Sequence, residues 1–266
     1  LKFAKKLFPI CRSLTGDGNR KTLIIIKKIV PKLKIIEVPS GKRFSDWKVP
    51  LEWNVKDAYI LSNGKKIVDF KKNNLHLVGY SLPVDKTVTK KELEKNLFYL
   101  QNQKNLIPYV TSYYNKTWGF CISYNDYLKK FKSKKYKVRI DTSLKKGSLT
   151  YGEYILKGQS KKEILISCNI CHPSMANNEI SGMVVATELI KFLKKRKNFY
   201  TYRFVFIPET IGSIIYINKN FKKLKLNTIA GFVLTCIGDK KNYSYLESRN
   251  TKTLADRSAL NYLNFE

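Results

Sequence analysis

The residues best suited to chemistry in this 266-residue chain lie between Cys168 and Thr210. Cys168-Asn169-Ile170-Cys171-His172 runs on into Pro173-Ser174-Met175-Ala176-Asn177-Asn178-Glu179-Ile180-Ser181-Gly182, and Pro208-Glu209-Thr210 follows the next apolar run. Imidazole and carboxylate are ligands that zinc accepts, so His172 and Glu179 are the candidate metal ligands. Glu209 is the candidate general base, a carboxylate able to take a proton from an attacking water. Asn177 and Asn178 are candidate substrate-binding amides. The plainer alternative has Glu179 capping a helix that starts near Ser181, with His172 hydrogen-bonded inside its loop.

Cys168-x-x-Cys171-His172 also fits the attachment pattern of c-type haem. That reading needs an axial methionine, and neither of the two methionines, Met175 and Met183, is placed to serve. A redox pair normally opens a helix whose N-terminus lowers the thiol pKa, whereas Pro173 and a polar loop follow here. Two incidental cysteines beside a functional histidine is the reading retained. Five cysteines, an odd number, point to reduced thiols and a cytoplasmic location.

These residues need a scaffold, and the last third of the chain supplies a βαβ alternation. Glu163–Ser167, Tyr202–Ile207 and Ile229–Ile237 read as strands. Gly182–Leu193, Gly212–Asn218 and Thr253–Leu263 read as helices. The class is α/β, with a mostly parallel or mixed sheet covered by helices on both faces. Active sites of such sheets lie at the carboxyl ends of the strands, which collects Cys168–Ser181, Glu209-Thr210 and Cys236–Asp239 on one rim. Leu7–Val30 reads as helix with a break at Leu14–Gly18, and Ile35–Val38 as a short strand. Residues 44–142 change to β-like runs, with Val55–Leu61 and Lys65–Phe70 flanking Asn63-Gly64 as a hairpin and Lys90–Leu100 as an amphipathic helix. This stretch holds Trp47, Trp53 and Trp118 and is expected to have its own small core. The boundaries are 1–43, 44–142 and 143–266, the middle being an inserted β-rich domain.

The net charge of +31 comes from 51 basic and 20 acidic residues. Only eight of the 51 are arginine, the residue favoured for bidentate phosphate recognition, and the lysines are spread along the chain. Nucleic acid is therefore the less favoured partner and solvated surface lysine the simpler account. No apolar run is long enough to span a bilayer, for which roughly 18 residues are needed. Starting at Leu1 and stopping at Glu266, the chain reads as a piece trimmed at both ends.

Cys171–Gly182 together with Phe206-Ile-Pro-Glu-Thr-Ile-Gly-Ser213 resembles a bacterial family of aminopeptidase-like proteins of unknown function. Leu7–Gly18, Pro108–Tyr114, Trp118–Cys121, Gly147–Glu153 and Leu254-Ala-Asp-Arg257 carry the same resemblance along the whole chain. It implies an aminopeptidase-type α/β domain with an inserted β-rich domain, continued in longer relatives by a winged helix and found among surface-polysaccharide genes. The wider superfamily uses two zinc ions and a catalytic glutamate to hydrolyse peptide bonds at a free N-terminus. Against that pattern, the His-x-Asp positions fall on Asn169 and Cys171, and the bridging aspartate falls on Asn177. The paired glutamates become Glu209-Thr210, the later aspartate falls near Thr235, and the final histidine lies past Glu266. Neutral amides and hydroxyls bind zinc weakly, so one ion is expected rather than two, with no ion as the remaining alternative. The expected function is a metal-dependent aminopeptidase-like hydrolase of a small peptide or related amide. The alternatives are a non-catalytic binding or regulatory protein on the same scaffold, and hydrolysis of an amide or ester on a modified sugar. Oligomeric state is not legible.

Overall fold

The computed structural model describes residues 1–240, 242 and 244–263, so the last three residues of the third expected domain lie outside the described residues. Two helices, α1 (Lys2–Leu7) and α2 (Asp17–Ile29), precede β1 (Lys34–Pro39). A β-rich stretch follows, with β2 (Arg43–Phe44), β3 (Trp47–Lys48), β4 (Glu52–Ser62), β5 (Lys65–Asp69) and β6 (Val84–Thr89). It continues through α3 (Lys90–Glu94), β7 (Leu97–Phe98), β8 (Phe120–Cys121), α4 (Tyr124–Lys130) and β9 (Lys135–Lys145). The remainder alternates as β10 (Ser148–Leu156), β11 (Glu163–Asn169), α5 (Ser181–Leu193), β12 (Thr201–Ile207), α6 (Ile211–Asn227), β13 (Thr228–Val233) and α7 (Leu254–Leu263).

The central sheet is mixed, in the order β1-β10-β12-β11-β13. β11 runs parallel to both β12 and β13, while β10 runs antiparallel to β1 and β12. Alternation along β12 gives each face its own apolar side chains. Phe204 and Phe206 pack with Leu23 and Ile26 of α2 and with Met183, Ala186 and Ile190 of α5. Val205 and Ile207 pack on the other face with Ile211, Ile215 and Tyr216 of α6. Helices therefore cover both faces, as the alternation predicts.

The β-rich stretch forms a four-stranded antiparallel sheet in the order β5-β4-β9-β6. Ser62 pairs with Lys65 across Asn63 and Gly64, whose φ values of 49° and 75° make the two-residue turn the Asn-Gly pair predicts. The expected separate core is not what forms. Trp53, Ile60, Val138 and Ile140 belong to one continuous cluster with Leu149, Tyr151, Val205 and Ile207 of the central sheet. The expected helix Lys90–Leu100 is also shorter. It stops at Glu94, and Leu97-Phe98 pairs in parallel with Phe120-Cys121 instead. No described helix is long and apolar enough to cross a membrane.

Candidate active site

The parallel trio β11, β12 and β13 ends on one rim, and each of the three loops that follow contains a non-glycine residue with positive φ. These are Ser174 at 43°, Thr210 at 59° and Cys236 at 53°. For a β-branched residue such as Thr210 this conformation is strained, a cost that persists only where the surroundings enforce it. After β11, Ala176–Ile180 forms a single π turn that leads into α5, an irregularity common at functional sites. Gly182 opens α5 against the neighbouring rim: a Cβ there would lie 2.2 Å from the Leu234 carbonyl oxygen, so no larger residue fits.

The π turn directs Glu179 inward, where it is fully buried. Its carboxylate accepts the backbone N–H of Cys171 at 2.9 Å and of His172 at 2.7 Å, and Nδ1 of His172 at 2.5 Å. Arg12, equally buried, places Nε 3.7 Å from Glu179 Oε2 and donates to the His172 carbonyl at 3.0 Å and the Leu7 carbonyl at 2.8 Å. The backbone of His172 is thus clamped from both sides. Glu179 does not cap α5, so that half of the plainer alternative fails, while its other half holds, His172 being hydrogen-bonded inside its loop to Glu179.

A carboxylate only accepts, so the proton it shares with Nδ1 belongs to the imidazole, and in neutral His172 Nε2 carries the lone pair. Nε2 lies 3.5 Å from Oε2 of Glu209, which is exposed, and the ring meets the Tyr109 ring edge-on at 5.0 Å. Burial pulls the His172 pKa down. The Glu179 hydrogen bond and the charges of Glu179 and Glu209 outweigh it, and the pKa stands above its ordinary value.

Cys171 Sγ accepts the Glu209 N–H at 3.1 Å and sits 3.5 Å from Glu179 Oε1. Burial, then the Glu179 charge, push this thiol well above the usual range, so it stays protonated and fastens the two rim loops. Cys168 is buried in the core on the opposite face of the sheet, and both thiols are free. The pair therefore suits neither redox exchange nor haem attachment.

The candidate residues fare differently. His172 and Glu209 come together, and with Cys171 they place one potential ligand atom each within 4.8 Å, the one such group found among the described residues. Glu179 stands behind His172, its oxygens occupied by the backbone and Nδ1. Asn177 Oδ1 accepts the Gly238 N–H at 2.7 Å and fastens the loop after β13, whereas Asn178 Oδ1 is buried with no partner. His172 Nε2 and the Glu209 carboxylate are the donors this group offers an ion, since Cys171 keeps its proton and the thiolate is the ligand form. Arg12 and Tyr109, which touch the Glu179–His172 pair, were missed as functional candidates. Each lies in a stretch that carries the resemblance, Leu7–Gly18 or Pro108–Tyr114, and that was the available signal.

The family described as "Domain of unknown function (DUF4910)" matches residues 1–266. The chain belongs to the DUF4910 family. A Clostridium acetobutylicum relative, named for polysaccharide biosynthesis and an aminopeptidase-like domain, is 51% identical over 242 residues, which is 90% of this chain and 55% of the relative. The chain thus spans about half the length of that protein. A crystal structure of a candidate peptidase from Clostridium acetobutylicum superimposes with a TM-score of 0.93 at 47% identity, covering 96% of this chain and 60% of the other. A zinc aminopeptidase from Bacillus subtilis superimposes with a TM-score of 0.62 at 14% identity, covering 100% and 78% respectively. This DUF4910 chain therefore has the mixed α/β fold of zinc aminopeptidases.

Proposed function

We propose that this DUF4910 chain is the aminopeptidase-like part of a zinc-dependent hydrolase that cleaves a peptide or related amide bond. The observation that carries the reading is the pairing of His172 Nε2 with Glu209 across 3.5 Å, enforced from behind by Glu179. His172 Nε2 would anchor a single ion, with Glu179 orienting the imidazole instead of binding the metal, as carboxylates do behind metal-bound histidines. Bound zinc supplies Lewis acidity toward the scissile carbonyl. Glu209, exposed on the same rim, accepts the proton of the attacking water and returns it to the departing nitrogen. Asn177 is spent on fastening the rim. Residues 1–43 and 143–266 form the aminopeptidase-like unit, with 44–142 inserted, and the reduced cysteines suit a cytoplasmic protein.

Two experiments test this. Elemental analysis of the natural protein should find about one zinc per chain, lost in His172→Ala, and a panel of dipeptides and N-acylated amino sugars should be hydrolysed. The amino sugars belong in the panel because of the relative's name. A folded, metal-free protein without amidase activity would overturn the reading. The sparse donor set favours one rival, a binding protein that kept the scaffold; it predicts ligand capture with no turnover and no zinc. Salt-sensitive binding of DNA under those conditions would assign the +31 charge to that role.

A further inference from the structure

We propose that a lysine-lined cavity at the end of the central sheet opposite the rim binds a small organic diphosphate. No step of the hydrolysis proposed above uses this cavity.

Its volume is about 590 Å³, within the roughly 300–1,000 Å³ typical of small-molecule sites. Three segments supply the lysines. Lys32 and Lys34 stand at the start of β1, Lys157 and Lys161 in the loop from β10 to β11, and Lys223 in the last turns of α6. Lysine makes up 43 of the 266 residues but five of the thirteen that line this cavity, so its abundance alone does not account for the collection. None of the five is paired with a carboxylate among the described residues. Charges of one sign around a concave wall focus the field and concentrate ions of the other sign.

Two carboxylates share the wall, and both are already engaged. Glu163 accepts from Arg203 Nε at 2.6 Å and Nη2 at 2.8 Å. Glu153 accepts from Arg203 Nη1 at 2.6 Å and from the Tyr216 hydroxyl at 2.5 Å. With Arg203 they leave one net negative charge against the five lysines.

The loop that carries Lys157 and Lys161 is fixed in advance. Gly158 donates its N–H to Thr201 Oγ1 at 3.1 Å, Gln159 to the Asn198 carbonyl at 3.1 Å, and Ser160 to the Phe199 carbonyl at 2.7 Å. Thr201 Oγ1 donates in turn to the Ser160 carbonyl at 2.9 Å. A Cβ at Gly158 would lie 2.3 Å from the Tyr200 carbonyl oxygen, so a larger residue could not sit this close to the chain entering β12. Lys162 Nζ donates to the Leu226 carbonyl at 3.1 Å and ties the loop to the end of α6. A wall built on ordered backbone lowers the cost of binding.

Charge and size choose the ligand. A phosphate carries about −1.5 to −2, which leaves much of the wall charge unmet, whereas two linked phosphates come close to matching it. Lysine suits phosphate as a compact charge with three donors. The remaining volume, against Ile155 and the lysine stems, takes an organic group.

Calorimetry on the natural protein at about 150 mM salt tests this. Inorganic diphosphate should bind at one site per chain, at least about 10-fold more tightly than phosphate or sulfate, and ADP at least as tightly as diphosphate. The triple variant Lys34→Gln, Lys157→Gln, Lys223→Gln keeps side-chain length and should weaken diphosphate by about 10–100-fold. The same change at Lys21, Lys104 and Lys195, which are exposed elsewhere, should weaken it by less than about 3-fold, because distant charges are screened. His172→Ala should bind diphosphate as wild type does, which separates this site from any metal on the rim. Equal losses in the two triple variants, equal affinity for sulfate and diphosphate, or loss of binding in His172→Ala overturns the site and leaves the hydrolase reading standing. ADP binding more weakly than diphosphate overturns the organic part. Tighter capture of a short DNA duplex than of diphosphate by the same three lysines assigns them to nucleic acid and overturns the proposal as well.

Discussion

Glu179 holds His172 through two separate oxygens: Oε1 accepts the Nδ1 proton at 2.5 Å and Oε2 accepts the backbone N–H at 2.7 Å. One buried carboxylate thus sets the ring orientation, the tautomer and the local backbone, and it also neutralises Arg12. Its replacement should be felt in both stability and metal affinity.

Glu179→Ala leaves the Arg12 guanidinium buried without its counter-charge, and removing one partner of a buried pair costs about 3–5 kcal/mol. Urea unfolding of the metal-free protein should show a loss of that size. Glu179→Gln, which preserves shape and some hydrogen bonding, should cost less and lower zinc affinity by about 10–100-fold. Equal stability of the alanine variant and wild type would refute the clamp.

Glu209 behaves oppositely, being exposed and free of structural duty through its side chain. Glu209→Gln should change stability by no more than about 0.5 kcal/mol. Hydrolysis should fall by about 10²–10⁴-fold, the range expected for a lost general base. A thermal melt and a turnover assay on the same preparation separate the two effects. Full activity in the variant would remove Glu209 from the chemistry.

The raised pKa of His172 gives the metal-free protein a defined pH dependence. A group that binds its proton more tightly when folded stabilises the fold fully below its unfolded pKa of about 6.5. That contribution fades as pH rises through the raised folded value. Urea midpoints measured from pH 6 to 8.5 should decline across this window in wild type and stay flatter in His172→Asn. Zinc affinity should rise over the same window, because Nε2 must be deprotonated to bind. Parallel midpoint curves for the two proteins would contradict the assignment.

At the opposite end of the sheet, buried Arg203 on β12 donates to Glu163 of β11 at 2.6 and 2.8 Å, to Glu153 of β10 at 2.6 Å and to the Tyr216 hydroxyl oxygen of α6 at 3.2 Å. Four elements that carry the rim are tied here. Arg203→Met should destabilise by about 3–5 kcal/mol by stranding Glu163, and adding Glu163→Gln should recover part of the loss. Strictly additive losses in the double variant would show that the two residues do not act as a pair.

Much of this protein was readable from local pattern. Short apolar runs in βαβ order located β11, β12 and β13, the Asn63-Gly64 pair located its hairpin, and strand order put His172 and Glu209 on one rim. Such features depend on a few neighbouring side chains and the period of the element they form. Even Leu254-Ala-Asp-Arg257 stood out as a motif, though only the fold gives the reason: Asp256 is buried and accepts bonds from Ser248, Thr253 and Tyr245 that order the loop ahead of α7. Tertiary structure alone decided that Glu179 turns inward to meet Arg12, far away in the sequence. It also decided that Tyr109 of the β-rich stretch meets the His172 ring, and that the cores of the two sheets merge. A buried charge must find its partner wherever the chain brings one, and an apolar face must be covered by whatever lies against it. Neither requirement leaves a mark in the spacing of nearby residues.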